Sequence, residues 1–82
     1  EMTGASGMPL DLLENGKLAR VLEIAGGWGT RQRLNQLGMH VGDCVRMKRS
    51  GILRGPILVH IHGMEVALGR GLARKVTVEE VA

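Results

Sequence analysis

Three histidines and one cysteine are the side chains among these 82 residues best suited to holding a transition metal. His60 and His62 stand two apart, which puts both on one face of a strand. With His40 or Cys44 they could offer imidazole nitrogen and thiolate sulfur to zinc or iron. A plainer reading competes: His60 pairs with Glu65 across the wet face of a hairpin, and His62 occupies its turn. Third and fourth ligands do not follow at the spacing of a closed site, so the plainer reading prevails and neither metal nor other cofactor is assigned.

Catalysis is no better supplied. Ser6 and Ser50 fall in stretches that read as flexible, and no Ser, His and Asp set is placed by strands or turns to work together. The glycines match neither G-x-x-x-x-G-K-[ST] nor G-x-G-x-x-G before a helix, so they make no phosphate loop. The chain therefore reads as a non-enzyme. Arg46, Lys48, Arg49 and Arg54 could contact nucleic acid, but single-strand binders add stacking aromatics, and Trp28 is the only aromatic residue present. These cations read as solvated strand and loop faces.

Trp28 itself is the stronger signal. It lies among glycines beside Arg31 and Arg33, and tryptophan with arginine is a frequent composition for the anchors of a protein interface. Its alternative is a lid, with the indole folded over the mouth of the domain. The interface reading assigns partner contact to Trp28, Arg31, Arg33 and the turn Leu37-Gly38-Met39; in the alternative, Arg33 braces its helix against a carboxylate such as Glu23.

These residues need a scaffold, and composition bounds it. A chain of 82 residues supplies one small core, 44% of the residues are hydrophobic, and Phe and Tyr are absent, so Leu, Val, Ile and Met must fill the interior. The net charge of +3 favours acidic partners without requiring nucleic acid. A lone cysteine excludes an intramolecular disulfide and suits a reducing cytosol. No apolar run approaches the ~20 residues that span a bilayer. Together these predict a cytoplasmic protein.

Residues 1–7 (EMTGASG) read as a disordered leader, and the domain as residues 8–82. Leu10, Leu12 and Leu13 precede the turn Asn15-Gly16 and are expected to cover one end of the fold. Lys17 to Ile24 reads as a central strand, with Ala19 and Val21 on one face and Leu18, Leu22 and Ile24 on the other. Gly26, Gly27 and Gly29 break it, Thr30 caps a helix through Leu37, and Gly38 closes that helix. Leu34 and Leu37 form its buried stripe, with Met39 folding back onto the last turn.

After a turn at Gly42-Asp43, Cys44 to Arg49 alternates with the period of a half-buried strand, Val45 and Met47 inward and Arg46 and Lys48 outward. A flexible connection, Ser50 to Pro56, leads to the clearest local signal. Ile57 to Ile61 and Met64 to Leu68 flank His62-Gly63 as a two-residue hairpin, opposing Ile61 to Met64, Val59 to Val66 and Ile57 to Leu68, with all six on one face. Histidine tolerates the positive φ this turn needs. Gly69 to Gly71 makes a bend, Leu72-Ala73 a helical turn, and Lys75 to Glu79 a last strand with Val76 and Val78 inward. The sum is a mainly β fold: an antiparallel closed barrel of about five strands, with one short α-helix inserted after the first strand.

Residues Gly16, Ala19, Val21 and Ile24, the Gly26-Gly27 turn, Val45, Gly55-Pro56, Ile57, Val59, Gly63, Val66, Ala67, Leu68 and Ala73 form an ordered set. Its most specific piece runs from Arg33 to Gly42 (RLNQLGMHVG). In this pattern the chain resembles the FeoA family from Met8 to about Val81. The resemblance implies an SH3-like barrel and a role in bacterial ferrous iron uptake beside FeoB, a membrane transporter that carries a cytosolic G-protein domain. It also raises the weight on Arg33. The chain departs from the family after Leu68, where Gly69 and Gly71 occupy positions that the family often fills with charged residues. Similar domains end iron-dependent repressors, so the competing function is an SH3-like module that senses metal or binds nucleic acid. Self-association through exposed strand edges stays open.

Overall fold

A computed structural model describes residues 7–50 and 55–81. Most of the leader and the Gly51 to Arg54 part of the connection before Pro56 lie outside the described residues. Eight elements follow in order: β1 (Met8–Pro9), β2 (Leu18–Ile24), α1 (Gly27–Gln36), β3 (Cys44–Arg49), β4 (Ile57–Ile61), β5 (Met64–Leu68), α2 (Arg70–Ala73) and β6 (Val76–Glu80), with a 3-10 turn at Leu10–Leu12. All pairings are antiparallel, in the order β1-β6-β2-β3-β4-β5. The five expected strands are present. The sixth, β1, is a two-residue addition, Met8 and Pro9 opposite Val78 and Thr77, in a stretch whose short length hides any alternation. The ladder runs from β1 to β5 and no described pairing joins those two ends.

The hairpin register is as the sequence predicts, Ile57 opposite Leu68, Val59 opposite Val66 and Ile61 opposite Met64, with His60 opposite Glu65. His62 takes φ 50° and Gly63 φ 79° in its turn. The common apolar face is not uniformly buried, however. Ile57, Val59, Ile61 and Leu68 are in the core, Val66 is half-buried and Met64 is exposed: exposure falls on β5, the edge strand of the sheet, and not on β4 beside it.

Strand β2 carries the instructive departure. Ala19 and Val21 are buried as expected, but Ile24 is buried with them instead of pointing away. Its register against β6 shifts between Val21 and Glu23, and such a bulge inserts one residue and exchanges the faces beyond it. The core is wholly aliphatic: the strand residues already named, Val45 and Met47 of β3, Val76 and Val78 of β6, Leu34, Met39 and Ala73, and Leu10 and Leu13, which close one end. Beside that end, the Asp11 carboxylate lies 3.9 Å from both Arg70 and Arg74, tying the 3-10 turn to α2.

Helix α1 starts one turn earlier than expected. Thr30 is inside it, and Gly26 is the N-cap residue. Gly26 takes φ 97°, and an added Cβ there would come within 2.7 Å of Thr30 Oγ1 and 2.9 Å of Lys75 Cδ, so glycine permits both the turn out of β2 and a close approach to β6. At the other end Gly38, at φ 94°, donates its N–H to the Asn35 carbonyl at 3.0 Å, and Met39 donates to Leu34 at 3.0 Å. Those two bonds make a Schellman cap, which sends the Met39 side chain into the core. A Cβ at Gly38 meets nothing within 4 Å, so its constraint is dihedral alone. Gly38→Ala should therefore cost about 1 kcal/mol, read as a lower urea midpoint with an unchanged m-value. No loss of stability would show that the cap relaxes at no cost.

Candidate functional site

Helix α1 lies on the sheet through one residue. Leu34 is its only fully buried side chain, and all others in the helix except Thr30 are exposed. Advancing about 100° per residue, the helix puts Trp28 and Arg31 within roughly 60° of each other on one flank, and Arg33 with Leu37 within roughly 40° on the opposite flank. The partner surface read as one patch is thus divided. Trp28 is 73% exposed, which rules out the lid. Leu37, expected in the buried stripe, is 37% exposed, because the helix is ending and the Gly38 turn carries Met39 inward in its place. Met39, expected to meet a partner, is 1% exposed and supports the helix from within; Gly38 shapes the cap. Arg33 forms no ion pair with Glu23 among the described residues, so the bracing alternative finds no support.

On the Trp28 flank a groove of about 270 Å³ opens between α1, β2 and the loop after α1, lined by Leu22, Glu23, Ile24, Arg31 and Val41. Leu22, Ile24 and Val41 line it with aliphatic groups and Arg31 and Glu23 with a cation and a carboxylate, so its surface is about as polar as it is apolar. Strand β2 supplies three consecutive lining residues, Leu22, Glu23 and Ile24, at its bulge. Leu22 and Val41 were not assigned to a site from sequence; an isolated exposed valine after Met39-His40 was the available signal.

Several exposed cations have acidic neighbours, and among the described residues Lys48 is the one of the four nominated cations that does. Lys17 lies 3.5 Å from Glu80, Arg20 3.8 Å from Glu79 and Lys48 3.8 Å from Glu65, while Arg46 Nη1 donates to the Gly16 carbonyl at 2.8 Å. Exposed pairs of this kind contribute about 0–1 kcal/mol each and intersperse negative charge among the cations. Arg54 lies outside the described residues.

The candidate metal ligands do not assemble as grouped from sequence. His60 sits between Arg46 of β3 and Glu65 of β5, and Cys44 is exposed at the start of β3. His40 and His62 instead meet at Asp43, a residue the sequence marked only as part of a turn. Asp43 Oδ2 accepts the His40 backbone N–H at 2.8 Å and lies 3.5 Å from His40 Nδ1 and 3.2 Å from His62 Nε2. Among the described residues no three such side chains enclose a cation in their present positions.

Partial burial pulls the Asp43 carboxyl upward, but the His40 N–H and the two imidazoles outweigh it and hold it below its ordinary value of 3.8. A depressed folded value contributes stability above the unfolded carboxyl range that is lost as pH falls through the folded value. The acid limb of stability below about pH 4 should therefore be shallower in Asp43→Asn than in the parent. Chemical denaturation at stepped pH measures it, and parallel limbs would mean that Asp43 is unpaired in solution.

The FeoA domain model matches residues 8–80. A protein of Methanocaldococcus jannaschii, named by inference as Fe(2+) transport protein A, is 35% identical over 72 residues, 88% of this chain and 85% of its own. The crystal structure of an iron uptake regulatory protein (FeoA) is similar with a TM-score of 0.85 and 31% identity, covering 94% of this chain and all of that one. A manganese-dependent transcriptional repressor shares the fold over 99% of this chain and 45% of its own, with a TM-score of 0.87 at 18% identity.

Proposed function

Because the chain belongs to the FeoA domain family, we propose that it is a non-catalytic cytoplasmic accessory of ferrous iron transport, working by contact with a FeoB-type transporter and its G-protein domain. The observation that carries this reading is the 73% exposure of Trp28, the only aromatic residue in the chain, on the flank of α1 whose Arg31 lines a groove of mixed polarity. An indole on the surface leaves apolar area in water that an isolated domain gains nothing by exposing. On an interface it supplies large, rigid contact area.

Arg31 and Arg33 add to this: α1 has no acidic residue in its first turn, and neither arginine has an ion-pair partner among the described residues. A partner carboxylate would meet an arginine free to form two parallel hydrogen bonds. Trp28 with Arg31 and the groove make the principal contact, and Arg33 with Leu37 a second one along the opposite flank. No helix among the described residues is long and apolar enough to cross a membrane. A transporter contact would therefore tether the chain through its partner.

Calorimetric titration of the chain into the cytosolic G-protein domain of the same organism's transporter, with GDP and with a GTP analogue, tests the proposal. Saturable binding in at least one nucleotide state is expected. Silence in both states would overturn contact with that domain.

A further inference from the structure

The two edges of the sheet are built differently. Strand β1 is two residues long and ends in Pro9, which has no N–H to offer another strand. Strand β5, at the opposite edge, is five residues long, pairs with β4 in an unbroken register and contains neither proline nor lysine. Prolines, lysines and bulges are the devices that keep an edge from pairing with other chains, and β5 has none of them. Its one charged side chain, Glu65, already faces a cation, with Lys48 Nζ 3.8 Å away.

The hairpin decides which backbone groups of β5 are free. Around a two-residue turn the flanking residues, Ile61 and Met64, form a hydrogen-bonded pair, and such pairs alternate along an antiparallel ladder, so Val66 and Leu68 also direct their N–H and C=O toward β4. Glu65 and Ala67 direct theirs the other way, to an edge with no partner strand among the described residues. Both side chains are exposed as well.

We propose that β5 pairs antiparallel with β5 of a second copy of this chain, about a two-fold axis through Val66, to form a weak homodimer. In this register Glu65 stands opposite Ala67 of the second copy and exchanges both backbone hydrogen bonds with it, and the axis repeats the exchange with the copies reversed. Val66 meets its own symmetry mate at the pair where side chains come closest, and Met64, 61% exposed, comes beside Leu68 of the second copy. Moving the axis to Glu65 would set like charges directly opposite each other, which selects the Val66 register. The edge is thus its own complement: its free donors and acceptors match under the two-fold, and its carboxylate falls opposite alanine. A contact of one five-residue strand a side is smaller than the ~800 Å² per partner of a standard stable interface, so the dimer exchanges with monomer.

Sedimentation velocity of the full chain from about 10 µM to about 1 mM provides the test, and the average mass should rise toward that of a dimer across the range. Over the same range the amides of Glu65 and Ala67 should gain protection from solvent exchange by NMR, a protection that β4 already gives to Val66 and Leu68. Ala67→Pro removes a donor that the β4 ladder does not use and should weaken association at least about tenfold. Met64→Lys, at a side chain already in water, sets a charge beside Leu68 of the second copy and should weaken association in the same direction while keeping the parent circular dichroism. A chain that stays monomeric throughout the range, or association that Met64→Lys and Ala67→Pro both retain, would overturn the proposal and leave the edge to an extended segment of a different protein.

Discussion

Trp28→Ala should weaken binding to the transporter's G-protein domain by about 30-fold or more and leave the unfolding midpoint within error of the parent. Truncation of a central interface tryptophan costs about 2 kcal/mol or more, and each 1.4 kcal/mol is a factor of ten. The fold should not register the change, because the indole is exposed and Leu34, on another side of α1, does the packing. The same residue supplies the readout. As the only fluorophore of its kind in the chain, Trp28 reports transfer of its indole from water to an interface as a blue shift on mixing. Arg31→Ala should act in the same direction, and Arg33→Ala less strongly, since helix geometry puts Arg33 on the other flank. Equal affinity for Trp28→Ala and the parent, with the fold intact, would remove this flank from the interface.

Leu34→Ala tests how that surface is held and should lower the unfolding free energy by about 2–5 kcal/mol in urea titrations followed by circular dichroism. Leu34 is fully buried and is the one such residue in α1, so its removal leaves a cavity that no second helix residue can fill. In a domain whose total stability is about 5–15 kcal/mol this is a large fraction. Partner affinity should fall as well, because Trp28 and Arg31 lose the anchor that orients their flank. A loss under about 1 kcal/mol would mean that α1 is positioned by its two glycine turns and not by burial of Leu34.

The hairpin was legible because its signals agree with one another. Two apolar runs of period two flank a pair of residues that tolerate positive φ, and a register slip would bury His60 and Glu65. Cys44 to Arg49 was legible for the same reason, and the Gly38 cap because a glycine followed by an apolar residue is a local device. The aliphatic composition fixed the character of the core before any contact was known. The ordered string from Arg33 to Gly42 pointed to the family.

Other features depended on neighbours remote in the chain. Ile24 changed face because β2 bulges against β6, and nothing between Lys17 and Ile24 encodes where β6 requires the extra residue. The first turn of α1 formed through glycines that read only as the break after the strand, since the close approach of Lys75 and Thr30 at Gly26 is visible only in three dimensions. Trp28 had two admissible poses by sequence, and tertiary packing put it in water. Asp43 passed as a turn residue until the hairpin delivered His62 to it. Local propensity and pattern thus determined the strands, the turns and the aliphatic core, because those depend on interactions a few residues long. Packing between distant segments decided which faces stayed open and which ionisable groups met, because burial and charge proximity are properties of the assembled chain.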